Sequence, residues 1–188
     1  MQYNSTRILR GIGFVILALG VGFAGVYVGG AIRSRRAPAP VVANAPEYPF
    51  EVGAPFPDVA VIDSSGASWQ TMDLIAGRGA VVLFVDLECE SCAIMCQRWE
   101  DAIQQGSIAV DRVVGIAHEE QGAVNDFRAD KQLTFAFYRD AGRVFLHEHG
   151  VARYPLEVVV GLSGTVRFRS YDSVSPIDAS AVVQQMLE

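Results

Sequence analysis

The sequence predicts an α/β fold in which helices flank a central sheet, and three features support this prediction. From Glu47 onward, apolar runs of strand length alternate with longer segments of helical periodicity. The run from Ala80 to Leu87 is short and apolar until Asp86, as expected of a strand covered on both faces. A turn at Ser163-Gly164 separates two further apolar runs, which predicts a β-hairpin. The alternation of strand-length and helical segments favours an α/β fold over a sandwich or a helix bundle.

The first element of the chain is an apolar run from Gly11 to Ile32, which has 22 residues and no charge. A helix of this length crosses the roughly 30 Å hydrocarbon core of a bilayer. A cleaved signal peptide is the alternative, but its apolar core usually has about 7–15 residues. The run therefore predicts one transmembrane helix, with residues 1–36 forming an anchor in the lipid bilayer. Arginines flank both ends, so charge alone does not decide its orientation.

Residues 37–47 are rich in proline and alanine and predict an extended linker to a folded domain over residues 48–188.

Charge is distributed unevenly between the predicted anchor and the rest of the chain. Residues 1–36 contain five arginines and no acidic residue, which leaves 10 basic and 21 acidic side chains and a net charge of −11 for residues 37–188. A domain with this charge repels nucleic acid, so a nucleic-acid partner is not expected.

Local patterns predict the elements of this domain in order. The segment DVAVID alternates and breaks at Ser64-Ser65-Gly66, which predicts a short hairpin, and Thr71 can cap a brief helix that extends to Ile75. Further helices are predicted at residues 91–104, 121–131, 144–149 and 178–187, and further strands at residues 111–118, 135–140, 156–162 and 165–171. The elements around the cysteines then follow the order β-α-β-α-β-β-α.

All three cysteines lie within eight positions, directly after the central strand. Cys89 falls where the strand gives way to a helix, and the unpaired N–H groups and dipole of a helix start stabilise a thiolate. Cys92, one turn further, is placed to resolve a mixed disulfide. Because a Cys-x-x-Cys pair in a βαβ setting is a fairly specific redox signal, we interpret Cys89 and Cys92 as a catalytic dithiol rather than as core cysteines.

Cys96 lies four residues after Cys92, on the same face of the predicted helix. The Cβ atoms of such a pair are roughly 5–6 Å apart, which exceeds the ~3.5–4.5 Å of a disulfide. Cys96 is therefore predicted to be a small buried apolar side chain, with a soft-metal ligand as the alternative. His118, at the end of a strand, is predicted to be a structural or surface histidine.

Three segments resemble the membrane-anchored thioredoxin-like thiol:disulfide oxidoreductases of the TlpA/ResA type, within the wider redoxin or AhpC-TSA superfamily. They are the entry segment VGAPFPDVAVIDSSGASWQTMDLIAGRGAVVLFVD, the dithiol CESC and the closing hairpin HGVARYPLEVVVGLSGTVRF. The resemblance runs from about Tyr48 to the end of the chain and implies a thioredoxin-like fold with a mixed central sheet. In this family the proline that matches Pro155 is cis and lies beside the dithiol. The resemblance thus implies that Tyr154 and Pro155 form a substrate-contact loop.

Two positions depart from the family pattern. Glu88 stands where a tryptophan usually precedes the first cysteine, and Met95 stands where many members have a carboxylate. Asp86, Glu88 and Glu90 are more often a solvated face, but one of them can shuttle a proton between the thiols. Negative charge beside Cys89 disfavours its thiolate and so destabilises the reduced form. We therefore predict a dithiol that acts as a reductant.

The resemblance also implies a location and partners. The protein would be a single-pass protein of the cytoplasmic (inner) membrane, with its soluble domain in the periplasm or extracytoplasmic space. A reducing dithiol there must draw electrons from a membrane donor, and its clients would be protein disulfides, as in cytochrome c biogenesis or the assembly of metal centres. No cofactor is expected.

A copper-binding chaperone is the main competing hypothesis. Cys92 and Cys96 match the thiolate spacing of thioredoxin-like copper chaperones, and His147 and His149 offer imidazole ligands for copper. A peroxidase is disfavoured because the Thr-x-x-Cys context of that activity is absent. An accessory subunit of a larger membrane complex, which would need no active dithiol, is also compatible with the sequence.

Overall fold

The computed structural model describes residues 48–75, 77–171 and 178–187. The strands in these residues are β1 (Ala60–Ile62), β2 (Ser68–Gln70), β3 (Ala80–Phe84), β4 (Val113–Ala117), β5 (Ala136–Arg139), β6 (Leu156–Val160) and β7 (Val166–Ser170). The helices are α1 (Thr71–Ile75), α2 (Glu90–Gln104), α3 (Gln121–Asp130), α4 (Val144–His147) and α5 (Ala179–Leu187). Every strand and helix predicted within these residues is present, with ends that differ by a few positions.

The predicted membrane anchor at residues 11–32 and the predicted linker at residues 37–47 lie outside the described residues. Within the part of the chain that the structure describes, none of the helices combines the length and the apolar character needed to span a bilayer. Both elements therefore stay predictions from the sequence.

The strands form one mixed sheet in the order β2-β1-β5-β4-β3-β6-β7. Strands β3, β4 and β5 are parallel to one another, whereas β6 pairs with β3 in the antiparallel direction and β7 continues as the second strand of the closing hairpin. Strand β1 joins the other edge and carries β2 as the hairpin partner predicted from DVAVID. The central strands β3, β4 and β6 are buried along their whole length, which accounts for the predominance of apolar residues in their sequences.

Side chains of β3 alternate between two apolar cores on opposite faces of the sheet. Val81 and Leu83 belong to the first core, which is covered by α2, α3 and α5. Val82 and Phe84 belong to the second core, which is covered by α1 and α4. The two layers of helices are the flanking layers expected from the sequence, and the first core includes the face of α2 that carries the cysteines.

Helix α2 is held against the sheet by one apolar stripe. The residues buried along it include Cys92, Met95, Cys96, Trp99 and Ala102, whose spacing of three and four residues defines one face of a helix. This stripe fixes the position of the amino-terminal end of α2, where the two cysteines of the Cys-x-x-Cys pair lie.

Candidate active site

The first cysteine of the pair caps the helix that follows it. Cys89 precedes α2 and has an extended backbone, with φ −85° and ψ 111°. Its Sγ accepts the N–H of Cys92 at 3.2 Å and lies 3.1 Å from Ser91 Oγ. The sulfur therefore takes the place of the side-chain oxygen of an ordinary N-cap, at the positive end of the helix dipole. Cys89 is partly exposed, so a thiol or disulfide partner can reach it.

The second cysteine is buried beneath the first. Cys92 has 0% of its surface exposed. Burial raises the pKa of the Cys92 thiol well above its usual value, a hydrogen bond with the Cys89 side chain raises it further, and a backbone hydrogen bond from Asp86 lowers it. The N-cap hydrogen bond from the Cys92 N–H to the Cys89 sulfur holds the two residues next to each other. The pair thus consists of one accessible sulfur and one buried sulfur, which suits an attacking thiol and a resolving thiol.

The third cysteine is buried in the first core, as the sequence predicts. Cys96 has 0% of its surface exposed and packs with Met95 and Trp99. The pKa of the Cys96 thiol is raised to about 12, mainly by burial and also by the charge of Cys89. Cys96 is a free thiol, like the other two cysteines. Its surroundings are those of a small apolar side chain.

Replacing Cys96 with alanine is expected to make stability less sensitive to alkaline pH. In the unfolded chain this thiol ionises near pH 9.0, whereas in the folded chain it stays protonated to about pH 12. Above pH 9 the folded state therefore binds more protons, and the free energy of unfolding falls as the pH rises through this window. One thiol contributes a slope of up to about 1.4 kcal/mol per pH unit. Urea unfolding from pH 8 to pH 11 tests this, and parallel curves for the two proteins would contradict it.

The loop predicted to contact substrate lies at the same end of the sheet as the dithiol. Phe84, the last residue of β3, pairs with Leu156, the first residue of β6. The loop that carries Cys89 therefore leaves the sheet beside the loop formed by Tyr154 and Pro155. The Tyr154-Pro155 peptide bond is cis, as the family resemblance implies. Tyr154 is partly buried and Pro155 is buried.

The phenol of Tyr154 faces several acidic groups. Its hydroxyl donates to the Val151 carbonyl at 3.3 Å. The pKa of Tyr154 is raised to about 12, mainly by burial and also by the nearby charges of Glu119, Asp86 and Asp140, while Arg143 lowers it. The region between the two loops is therefore partly apolar and negatively charged.

The three acidic residues predicted as proton shuttles surround Cys89 in sequence. Asp86 is partly buried, whereas Glu88 and Glu90 are exposed. Asp86 accepts two main-chain N–H groups, that of Glu88 at its Oδ1 (2.9 Å) and that of Cys89 at its carbonyl oxygen (3.1 Å). Within the described residues, none of these three carboxylates is hydrogen-bonded to a cysteine sulfur. Asp86 shapes the cysteine loop, and a proton-shuttle role for any of the three stays a prediction.

Glu119 also holds the cysteine loop, although no sequence motif includes it. Its Oε1 accepts the N–H of Leu87 at 3.0 Å and its Oε2 accepts the N–H of His118 at 3.0 Å. Strands β3 and β4 are parallel, so the loops after them meet at one edge of the sheet. An acidic residue directly after the second parallel strand was the available sequence signal for this contact.

The copper ligands predicted for a chaperone do not converge in the structure. Cys92 and Cys96 lie in the first core. His147 is exposed at the end of α4, and the ring of His149 packs 5.8 Å from the ring of Phe145, which belongs to the second core. The sheet separates the two sets of residues.

The fold and the site together define a class of protein. The chain has a thioredoxin-like α/β fold, and a Cys-x-x-Cys pair at the start of a helix lies beside a cis-proline loop. The sequence matches the model of the AhpC/TSA family over residues 52–169. Since this match covers more than half of the chain, the protein belongs to the AhpC/TSA family. The comparison with curated proteins found no match.

Solved structures of thiol proteins share this fold. A thiol:disulfide interchange protein of the thioredoxin family from Chlorobium tepidum superimposes with a TM-score of 0.58 at 19% identity, covering 78% of this chain and 100% of that one. A secreted disulfide oxidoreductase of Mycobacterium tuberculosis gives 0.54 at 21% identity, covering 69% and 94%. Peroxidoxin BcpB, also from Mycobacterium tuberculosis, gives 0.59 at 17% identity, covering 73% and 96%. At these sequence identities the superpositions show that the fold is shared, and nothing more.

Proposed function

We propose that this protein is a thiol-disulfide oxidoreductase that reduces protein disulfides through Cys89 and Cys92. The observation that carries the proposal is the pairing of a partly exposed sulfur at a helix N-cap with a buried cysteine whose main-chain N–H that sulfur accepts at 3.2 Å. Membership of the AhpC/TSA family supports thiol chemistry at this position.

The reaction follows from this asymmetry. The Cys89 thiolate attacks one sulfur of a client disulfide, which forms a mixed disulfide and releases the other client sulfur as a thiolate. Cys92 then gives its proton to that leaving thiolate and attacks the Cys89 sulfur. This second exchange releases the reduced client and leaves a Cys89–Cys92 disulfide. Two electrons have passed to the client, and a dithiol donor must return two electrons before the next cycle.

The cis-proline loop is the proposed client-binding surface. Tyr154 and Pro155 adjoin the cysteine loop because Phe84 and Leu156 are paired at the ends of their strands. A client segment that lies along this loop would present its disulfide to the exposed Cys89 sulfur. Because Cys92 lies behind Cys89 in the first core, a client can form a mixed disulfide with Cys89 alone.

The proposed cellular setting extends the sequence prediction. The apolar run at residues 11–32 would anchor the protein in the cytoplasmic membrane, with the domain on the extracytoplasmic side. There a membrane dithiol donor would keep the pair reduced, for clients such as cytochrome c or metal-centre proteins during assembly. Recovery of the full chain in the membrane fraction, and its loss when residues 1–36 are removed, tests the anchor.

The redox potential of the Cys89–Cys92 pair tests the direction of the reaction. The acidic residues Asp86, Glu88 and Glu90 beside Cys89 in the sequence are the reason to expect a reducing pair. We expect a potential close to the ~−270 mV of thioredoxin, measured by equilibration with dithiothreitol buffers and alkylation of free thiols. A value near −120 mV, about that of a dedicated disulfide-forming enzyme, would show that the protein oxidises its clients instead.

A further inference from the structure

Three potential metal ligands meet beside the cysteine loop. A carboxylate oxygen of Asp86, a ring nitrogen of His118 and a carboxylate oxygen of Glu119 all lie within 4.8 Å of one another, and all three residues are partly buried. Ligands held about 2.0–2.2 Å from one divalent cation are at most about 4.4 Å apart. Small side-chain rotations would therefore bring these atoms to coordination distance.

Neighbouring contacts already orient the three groups. Glu119 accepts the main-chain N–H groups of Leu87 and His118, one at each oxygen. Asp86 accepts the N–H of Glu88 at one oxygen. The ring of His118 stacks on that of Tyr154, with centroids 6.0 Å apart. Contacts of this kind fix the orientation of metal ligands and are a regular part of metal sites.

We propose that Asp86, His118 and Glu119 form a binding site for a divalent transition-metal cation. One imidazole and two carboxylates are donors that suit Mn²⁺, Fe²⁺ and Zn²⁺. Two carboxylates on adjoining loops concentrate negative charge at this point of the surface. A bound cation would offset that charge.

The site would lie next to the dithiol and yet be separate from it. The carbonyl oxygen of Asp86 accepts the N–H of Cys89 at 3.1 Å, so one proposed ligand belongs to the turn that carries the reactive sulfur. The ligand set contains no cysteine, which distinguishes this site from the copper site predicted for a chaperone. Binding therefore does not depend on the redox function proposed above.

Titration with Mn²⁺ tests the site directly. The probe is applied to the full chain carrying Cys89→Ser and Cys92→Ser, so that the dithiol cannot bind it, and free Mn²⁺ is followed by electron paramagnetic resonance. We expect one ion per chain. His118→Phe keeps an aromatic ring against Tyr154 but removes the nitrogen ligand, and His147→Phe makes the same exchange at an exposed histidine.

Asp86→Asn provides a second, independent test. Its amide oxygen can still accept the N–H of Glu88, whereas the charge of the ligand is lost. Glu88→Gln removes an exposed charge two residues away and serves as its control. We expect His118→Phe and Asp86→Asn each to weaken Mn²⁺ binding by about tenfold or more, and the two controls to bind like the parent protein.

Two results would overturn the proposal. One is the absence of binding at millimolar Mn²⁺. The other is binding that His118→Phe and Asp86→Asn weaken no more than His147→Phe and Glu88→Gln do, which would indicate a general attraction of cations to an acidic domain. If one ligand variant fails to fold, as judged by its unfolding curve, the other variant decides between these results.

Discussion

Replacing Cys89 with serine is expected to reduce the rate of insulin-disulfide reduction to that of the uncatalysed reaction. The Cys89 sulfur is the accessible member of the pair and lies at the N-cap of α2. A serine hydroxyl does not attack disulfides at neutral pH, so the exchange cannot begin. Serine is also one of the best N-cap residues, and it can accept the N–H of Cys92 in place of the sulfur. The fold should therefore persist, and an unfolding curve of the variant checks this.

The two remaining cysteines supply matched comparisons. With Cys92→Ala the first exchange still occurs but the mixed disulfide is not resolved, so the protein should accumulate as covalent adducts with its clients. Isolation of such adducts from cells would identify the proteins that exchange disulfides with Cys89. Cys96→Ala removes a third thiol from the same helix face, and we expect it to keep most of the activity because Cys96 is buried in the first core.

Different outcomes would change the proposal in defined ways. Full activity of Cys89→Ser would exclude Cys89 as the attacking thiol. Loss of activity in Cys96→Ala, without loss of stability, would show that the third cysteine takes part in the exchange. If the unmodified protein reduces no disulfide and Cys89→Ser disrupts only the assembly of a larger complex, the protein is an accessory subunit rather than an enzyme.

The elements of the fold were predictable from the sequence because local patterns dominate them. The buried run at β3 and the closing hairpin are recognisable from continuous apolar residues and turn residues, which depend little on the rest of the chain. The helix after Cys89 begins within one residue of the predicted start, and therefore the prediction of Cys89 at its tip is correct. The family resemblance added the cis bond before Pro155, which local patterns do not predict.

Contacts between distant segments were not predictable in this way. The position of His118 at a strand end predicts only a structural or surface residue, and the position of Glu119 directly after that strand does not show which loop it contacts. Their proximity to Asp86 requires β3 and β4 to be parallel neighbours, because only then do the loops after these strands meet. A single sequence shows that both strands exist but does not show how they pair.

Glu157 illustrates the same limit inside the core. An acidic residue in the segment LEVVV suggests a solvent-facing position on a strand, yet Glu157 has only 6% of its surface exposed. Its Oε2 accepts the indole N–H of Trp99 at 3.2 Å. This buried contact joins β6 to α2, the helix whose amino-terminal end carries the dithiol. Residues 58 positions apart in sequence form it.

Replacing Trp99 with alanine is expected to destabilise the protein more than any of the cysteine substitutions. Trp99 has 0% of its surface exposed and packs in the first core with Met95 and Cys96. Truncation of a buried aromatic residue to alanine typically costs about 3–5 kcal/mol. Trp99→Phe keeps most of the apolar contact but removes the donor to Glu157, which should cost about 1–3 kcal/mol. Urea unfolding of the three proteins measures both differences.

The second tryptophan of the chain provides the control for this contact. Trp69 also donates its indole N–H to a carboxylate, that of Asp63 at 2.7 Å, but both residues lie at the surface. Because water replaces an exposed donor at little cost, Trp69→Phe should destabilise the protein far less than Trp99→Phe. Equal effects of the two substitutions would mean that burial of the Trp99–Glu157 contact adds nothing. A larger effect at Trp99, together with a lower rate of disulfide exchange, would show that this contact also holds the dithiol end of α2 in place.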